Sequence, residues 1–181
     1  MESIIKYINE WFLPKSEHFE AFAKNDTRVE SWFKAELLVL FEKLARQKVI
    51  DSFEREPKLD INGRKQVDFS INMKGEQHYL ELKAVCISRS KGTPRNLFFY
   101  LRDDNVGMIK DFGKLDKIKG LKNKWILAFI YPRPTEENWL KACKIIHKNF
   151  SHCECITRLD TYPQRLFIAI FRASDTFHEA V

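Results

Sequence analysis

Residues 125–131 read W-I-L-A-F-I-Y, an unbroken apolar run set between Lys124 and Pro132. This run limits the fold more than any other stretch. A strand that alternates apolar and polar residues can leave one face in water, whereas a strand apolar at every position must be covered on both faces. The chain therefore needs helices on either side of a sheet, and its other patterns supply them. Residues 2–13 space Ile4, Ile5, Ile8, Trp11 and Phe12 for an amphipathic helix that Pro14 closes, and Ser16 begins a second short helix carrying Phe19 and Phe22. Thr27-Arg28-Val29-Glu30 has the form of a capping box. It precedes a long helix whose apolar stripe is Val29, Phe33, Leu37, Leu40, Phe41 and Leu44. Asp103, Asp104 or Asn105 caps a helix through Ile118, and Thr135 caps another to about Asn149.

Strand patterns fill the intervals. Residues 49–59 read as an edge strand ended by Pro57, residues 153–159 and 165–172 as two final strands, and residues 66–85 as a hairpin. In the hairpin Val67, Phe69, Ile71 and Met73 alternate with Asp68, Ser70 and Asn72. After Lys74-Gly75-Glu76-Gln77, Leu80 and Leu82 alternate with Tyr79, Glu81 and Lys83. If Gly75 and Glu76 are the loop, Asp68 lies across from Lys83 and Ser70 across from Glu81, all on one face. The expected architecture is a mixed α/β domain, a central mixed sheet flanked by helices. Residues 1–26 form an N-terminal helical appendage and residues 27–181 the domain proper.

Two carboxylates and an ammonium on one strand face have a bland use and a chemical one. On a solvated surface they are cross-strand ion pairs worth a few tenths of a kcal/mol. In a covered site, carboxylates a few ångströms apart repel unless a hard cation lies between them, and Mg²⁺ is commonly held by one or two carboxylates with waters and substrate phosphates. A neighbouring lysine then orients or activates the attacking water. Because residues 79–85 are apolar overall, the covered setting is favoured, and the chemistry implied is phosphodiester hydrolysis.

At Asp68 and at Glu81-Leu82-Lys83 the chain resembles the PD-(D/E)XK nuclease superfamily, although Val67 stands where the family name has Pro. The order helix, strand, strand, strand, helix, strand, helix, strand, strand from Thr27 to about Arg172 agrees with that resemblance. It implies a restriction-endonuclease-like core and a divalent-metal-dependent endonuclease. Asp68, Glu81 and the backbone carbonyl of Leu82 would ligate Mg²⁺ or Mn²⁺, and Lys83 would position the water. Such domains commonly add a Glu from the first core helix, for which Glu30 and Glu36 are both candidates. Capping accounts for Glu30 without catalysis, and Glu36 lies at the edge of the apolar stripe, so Glu36 is the preferred choice.

A net charge of +6 suits a polyanionic partner. Nucleic-acid contacts are expected from Arg64 and Lys65 in the turn before Asp68, and from Arg89, Lys91 and Arg95 in the loop after Lys83. Lys114, on the following helix, is the last of these. DNA is favoured over RNA, with a homodimer or a partner protein supplying sequence specificity. The alternative is a nuclease-fold nucleic-acid-binding or assembly subunit without activity. The start Met1-Glu2-Ser3 lacks a basic region followed by an apolar stretch, and no apolar run reaches membrane-spanning length, so a cytoplasmic protein is expected. Cys143, His147, His152, Cys153 and Cys155 offer a conceivable zinc set, though their spacing fits no standard zinc motif. Core packing is the favoured role for these cysteines.

Overall fold

The structure is a computed structural model, and it describes residues 1–25, 27, 29–59, 66–87, 96–102, 107–118, 120–151, 153–155 and 166–173. Its elements are α1 (Glu2–Phe12), α2 (Ser16–Lys24), α3 (Glu30–Arg46), β1 (Ser52–Arg55), β2 (Phe69–Met73), β3 (Glu76–Cys86), α4 (Met108–Asp116), β4 (Lys124–Tyr131), α5 (Glu136–Asn149), β5 (Cys153–Cys155) and β6 (Phe167–Ala173). Short 3₁₀ turns lie at Leu13–Lys15 and Leu97–Tyr100. From α3 onward the order is the expected one.

The strands form one six-stranded mixed sheet in the order β1-β2-β3-β4-β6-β5, in which β3 and β4 run parallel and the other neighbours antiparallel. Every residue of β4 is buried, as its unbroken apolar run requires. Its alternate residues serve two cores. Leu127 and Phe129 face the layer of α1, α2 and α3, while Ile126, Ala128 and Ile130 face α4, α5 and the Leu97–Tyr100 turn. The expected mixed α/β sheet flanked by helices is what the chain forms. Helices α1 and α2 are not set apart from it, because Ile4, Ile8, Phe12 and Phe19 are buried in the same core as Phe33, Leu37 and Phe129. No helix among the described residues is long and apolar enough to cross a membrane.

Helix α4 follows Gly107, which gives no side-chain cap, and the expected caps Asp103, Asp104 and Asn105 lie outside the described residues; two further local expectations change. The first is the hairpin register. Its turn is Lys74-Gly75, both with positive φ (55° and 76°), the pattern of a type I′ connection. Met73 therefore pairs with Glu76 and Ser70 with Tyr79, two positions away from the expected pairing of Ser70 with Glu81. A shift of two keeps every side chain on its face, so the alternation survives while the partners change. The second is the capping box. Helix α3 starts at Glu30 itself, its N-cap is Val29, and no side chain caps it; Thr27 Oγ1 donates instead to the Asn25 carbonyl. At α5 the expected cap is present, Thr135 Oγ1 accepting the Asn138 N–H at 3.3 Å.

Candidate active site

The site forms where the ladder between β2 and β3 opens. The paired rungs end at Phe69 and Leu80, and Asp68 is a bend residue just outside β2. Period two would put Val67 on the face of Phe69 and Ile71. Instead Val67 is buried with Val85 and the α4–α5 core, so the chain has turned over at Asp68. Among the described residues no strand flanks β3 on this side from Leu82 onward, and its backbone donors need other acceptors. The Asp68 carboxylate takes the Leu82 N–H at 2.8 Å, and the Glu30 carboxylate takes the Ala84 N–H at 3.3 Å. Both acids are thus fixed by backbone groups that the missing strand would have satisfied.

Ammonium groups close the cluster. Lys34, one turn after Glu30 on α3, stands 2.6 Å from Asp68 Oδ1 and 3.5 Å from Glu30 Oε1. On the other face of the sheet, α4 meets β3 with matched charges. Lys114 donates to Glu81 Oε1 at 2.7 Å, and Lys83 stands 2.9 Å from Asp111 Oδ2. Residues two apart on a strand and three apart on a helix each share a face, so the E-x-K of β3 meets the D-x-x-K of α4 as two crossed pairs. Four of these side chains are mostly covered: Asp68 13% exposed, Glu81 and Lys83 12%, and Asp111 17%.

Burial and crowding set the electrostatics. Burial, aided by the nearby Asp68 charge, pushes the Glu81 carboxyl up to about 7, against the downward pull of Lys114. Burial likewise raises Asp111, opposed by Lys83, and the Glu30 charge adds to the rise, so α3 is felt through the opening from the α4 side. Burial disfavours the Lys34 ammonium, but the Asp68 and Glu30 carboxylates more than offset it and hold this group above its ordinary value. Glu81 Oε2 is buried and has no hydrogen-bond partner. An acceptor oxygen of that kind is costly unless something fills its place.

The expected residues divide clearly. Asp68 and Glu30 share Lys34 on the α3 side, and Glu81 and Lys83 pair with Lys114 and Asp111 on the α4 side. The two groups are near enough at the opening for the Asp68 charge to act on Glu81 and the Glu30 charge on Asp111, with the Leu82 N–H bonded to Asp68. Glu36 does not join them: it accepts the Trp11 Nε1–H at 2.8 Å and pairs with Lys15 at 3.3 Å, bracing α1 against α3. Arg64, Lys65, Arg89, Lys91 and Arg95 lie outside the described residues. Lys34 and Asp111 are additions, and the signal for Lys34 was present in the sequence, since E-x-x-x-K in a helix puts the two side chains on one face.

Compared with known proteins, the chain matches no family model, no curated protein and no solved structure. Among the described residues, no three His, Cys, Asp or Glu side chains gather in a metal-holding arrangement. The carboxylates of this cluster already lean on lysines. A hard cation of the Mg²⁺ type needs only one or two carboxylates, with oxygen from water and substrate completing its shell, and Glu81 Oε2 and Asp68 would be the groups to hold one. The cysteines offer less. Cys153 is buried in the α4–α5 core, where burial pushes its thiol up to about 12, and Cys143 hydrogen-bonds with Cys155, which lowers the Cys143 thiol. His152 lies outside the described residues.

Proposed function

We propose that this protein is a divalent-metal-dependent nuclease that hydrolyses phosphodiester bonds of nucleic acid, DNA in preference to RNA, on a restriction-endonuclease-like core of the PD-(D/E)XK type. The observation that carries the reading is that the Asp68 charge acts on the buried Glu81 carboxyl across the opened edge of β3, where one Glu81 oxygen lacks a partner. Asp68, Glu81 and the Leu82 carbonyl would hold Mg²⁺ or Mn²⁺. Bound there, the ion would polarise the phosphate and lower the pKa of a water. Lys83, held by Asp111, would orient a water for attack and balance charge developing on the phosphate, and Glu30 would assist from α3. Lys114, 42% exposed and paired with Glu81, would meet a backbone phosphate. In this reading the protein is cytoplasmic, with sequence specificity supplied by a second copy or a partner protein.

One observation favours a second reading, a non-hydrolytic nucleic-acid-binding or assembly subunit. Asp68, Glu81 and Asp111 each already have an ammonium within 3 Å, a closed network of the kind that fixes structure without metal. A panel of single- and double-stranded DNA and RNA with Mg²⁺ or Mn²⁺, run beside Lys83→Ala and Asp68→Ala, separates the two. The nuclease reading expects metal-dependent cutting by the wild type and a loss of roughly 100-fold or more in each variant. Wild-type rates in Lys83→Ala would remove that residue's role. Binding that persists in EDTA, with no substrate cut, would favour the subunit.

A further inference from the structure

Asp68 does not present bare oxygens to an incoming cation. Its Oδ2 is tied to the Leu82 N–H, and its Oδ1 lies 2.6 Å from the Lys34 ammonium, which also reaches Glu30 Oε1 at 3.5 Å. The geometry points to Lys34 as an internal counter-cation, whose ammonium occupies the position at Asp68 Oδ1 that a divalent ion held by Asp68 and Glu81 must enter and which metal binding displaces toward solvent. The inference rests on the nuclease reading in that it takes Asp68 as a metal ligand, and it adds how that ligand is guarded.

Three features of the cluster support displacement at Lys34 and not elsewhere. A divalent ion on Asp68 Oδ1 would sit beside the ammonium already there, and two cations on one oxygen repel strongly where water is largely excluded. Lys34 can leave without disturbing its surroundings, because its side chain is 27% exposed and Asp68 stays oriented through the Leu82 N–H. The other ammoniums do not stand in the way. Lys114 engages Glu81 through Oε1, leaving Oε2 without a hydrogen-bond partner, and Lys83 is held toward Asp111.

The test is Mn²⁺ binding, followed by the electron paramagnetic resonance signal of the free ion, for the wild type, Lys34→Met and Lys34→Arg at one pH and ionic strength. Lys34→Met is expected to bind Mn²⁺ about tenfold tighter than wild type, the scale of a coupling between groups in contact. Lys34→Arg, which keeps a cation in place, should stay near the wild-type affinity. Adding Asp68→Asn to Lys34→Met should abolish the gain. A second measurement uses the wild-type chain alone: saturating Mn²⁺ should raise the rate at which an amine-acylating reagent modifies Lys34, read by mass spectrometry. Binding by Lys34→Met where the wild type shows none would also support displacement. If the wild type binds Mn²⁺ but Lys34→Met binds no tighter, or Lys34 acylation is unmoved at saturation, displacement is overturned while the metal site stands. If neither protein binds Mn²⁺ at millimolar concentration, the nuclease reading fails and takes this inference with it.

Discussion

On the α1–α3 side of the sheet, Phe33 stacks on Phe129 with ring centroids 4.0 Å apart, and Phe12, Phe19 and Trp32 pack edge or face against the same group. On the α4 side, the same sheet presents Glu81 and Lys83 to Lys114 and Asp111 at 2.7 and 2.9 Å. The first face is held by apolar area and ring geometry, terms that do not depend on protonation. The second spends part of its burial on charges, which are tolerated because helix and strand carry opposite signs at matching positions. A protein built from the first face alone would have no chemistry. The second responds to pH, and it lies at the opening between β2 and β3, where acids from α3 and α4 feel one another.

The largest expected effect on stability comes from breaking the aromatic face. Phe33→Ala should cost about 3–5 kcal/mol in urea unfolding, with little dependence on pH between 5 and 8, because it removes packing and leaves a cavity. A loss that varied strongly with pH would show that the two faces are not energetically separate. Next in size is the charged face itself. Glu81 holds its proton up to about 7 in the fold, against 4.5 as its ordinary value. Below about 4.5 the group is protonated in both folded and unfolded chains, and between 4.5 and 7 only the folded chain keeps the proton. Stability therefore falls as pH rises through that window, by at most about 3 kcal/mol, and stays lower above it. Glu81→Gln should flatten this slope, so paired urea titrations at pH 5 and pH 8 check it. An unchanged slope would mean that Glu81 ionises freely.

The smallest effect sharpens the contrast between two glutamates of one helix. If the proposed nuclease activity holds, Glu36→Gln should leave cleavage at the wild-type rate; it should change stability by less than about 1 kcal/mol, since the amide oxygen still accepts from Trp11 and only a partly exposed pair with Lys15 is lost. Glu30→Gln should slow cleavage by about tenfold with a similarly small stability change. Equal effects on cutting from both variants would erase the distinction between a brace and a site residue.

These two glutamates also mark how far the sequence could be read. They lie six residues apart, about 120° around the helix, so one faces the opened strand edge and the other faces α1. The apolar stripe of α3 located the core, but no local pattern says on which side of that stripe β3 is bare. The capping box drew Glu30 toward a structural reading, and the helix begins instead at Glu30, leaving its carboxylate for Ala84. Alternation placed Glu81 and Lys83 on one face, and parity survived the two-residue register shift. The partners did not, because Lys74 accepts a left-handed conformation that sequence spacing does not announce. Lys83 was expected opposite Asp68 and is paired with Asp111, a contact between elements far apart in the chain.

The order of elements, the fully covered strand 124–131 and the side of the sheet on which Glu81 and Lys83 lie were all determined by the chain's own periodicity, because burial over a few residues is a local demand that neighbours in sequence must meet. Which acid completes the cluster, which lysine reaches Asp68 and where the strand ladder opens were decided only in three dimensions. Each depends on a backbone N–H left without a strand partner, and that shortage exists only once β3 has a neighbour on one side and none on the other.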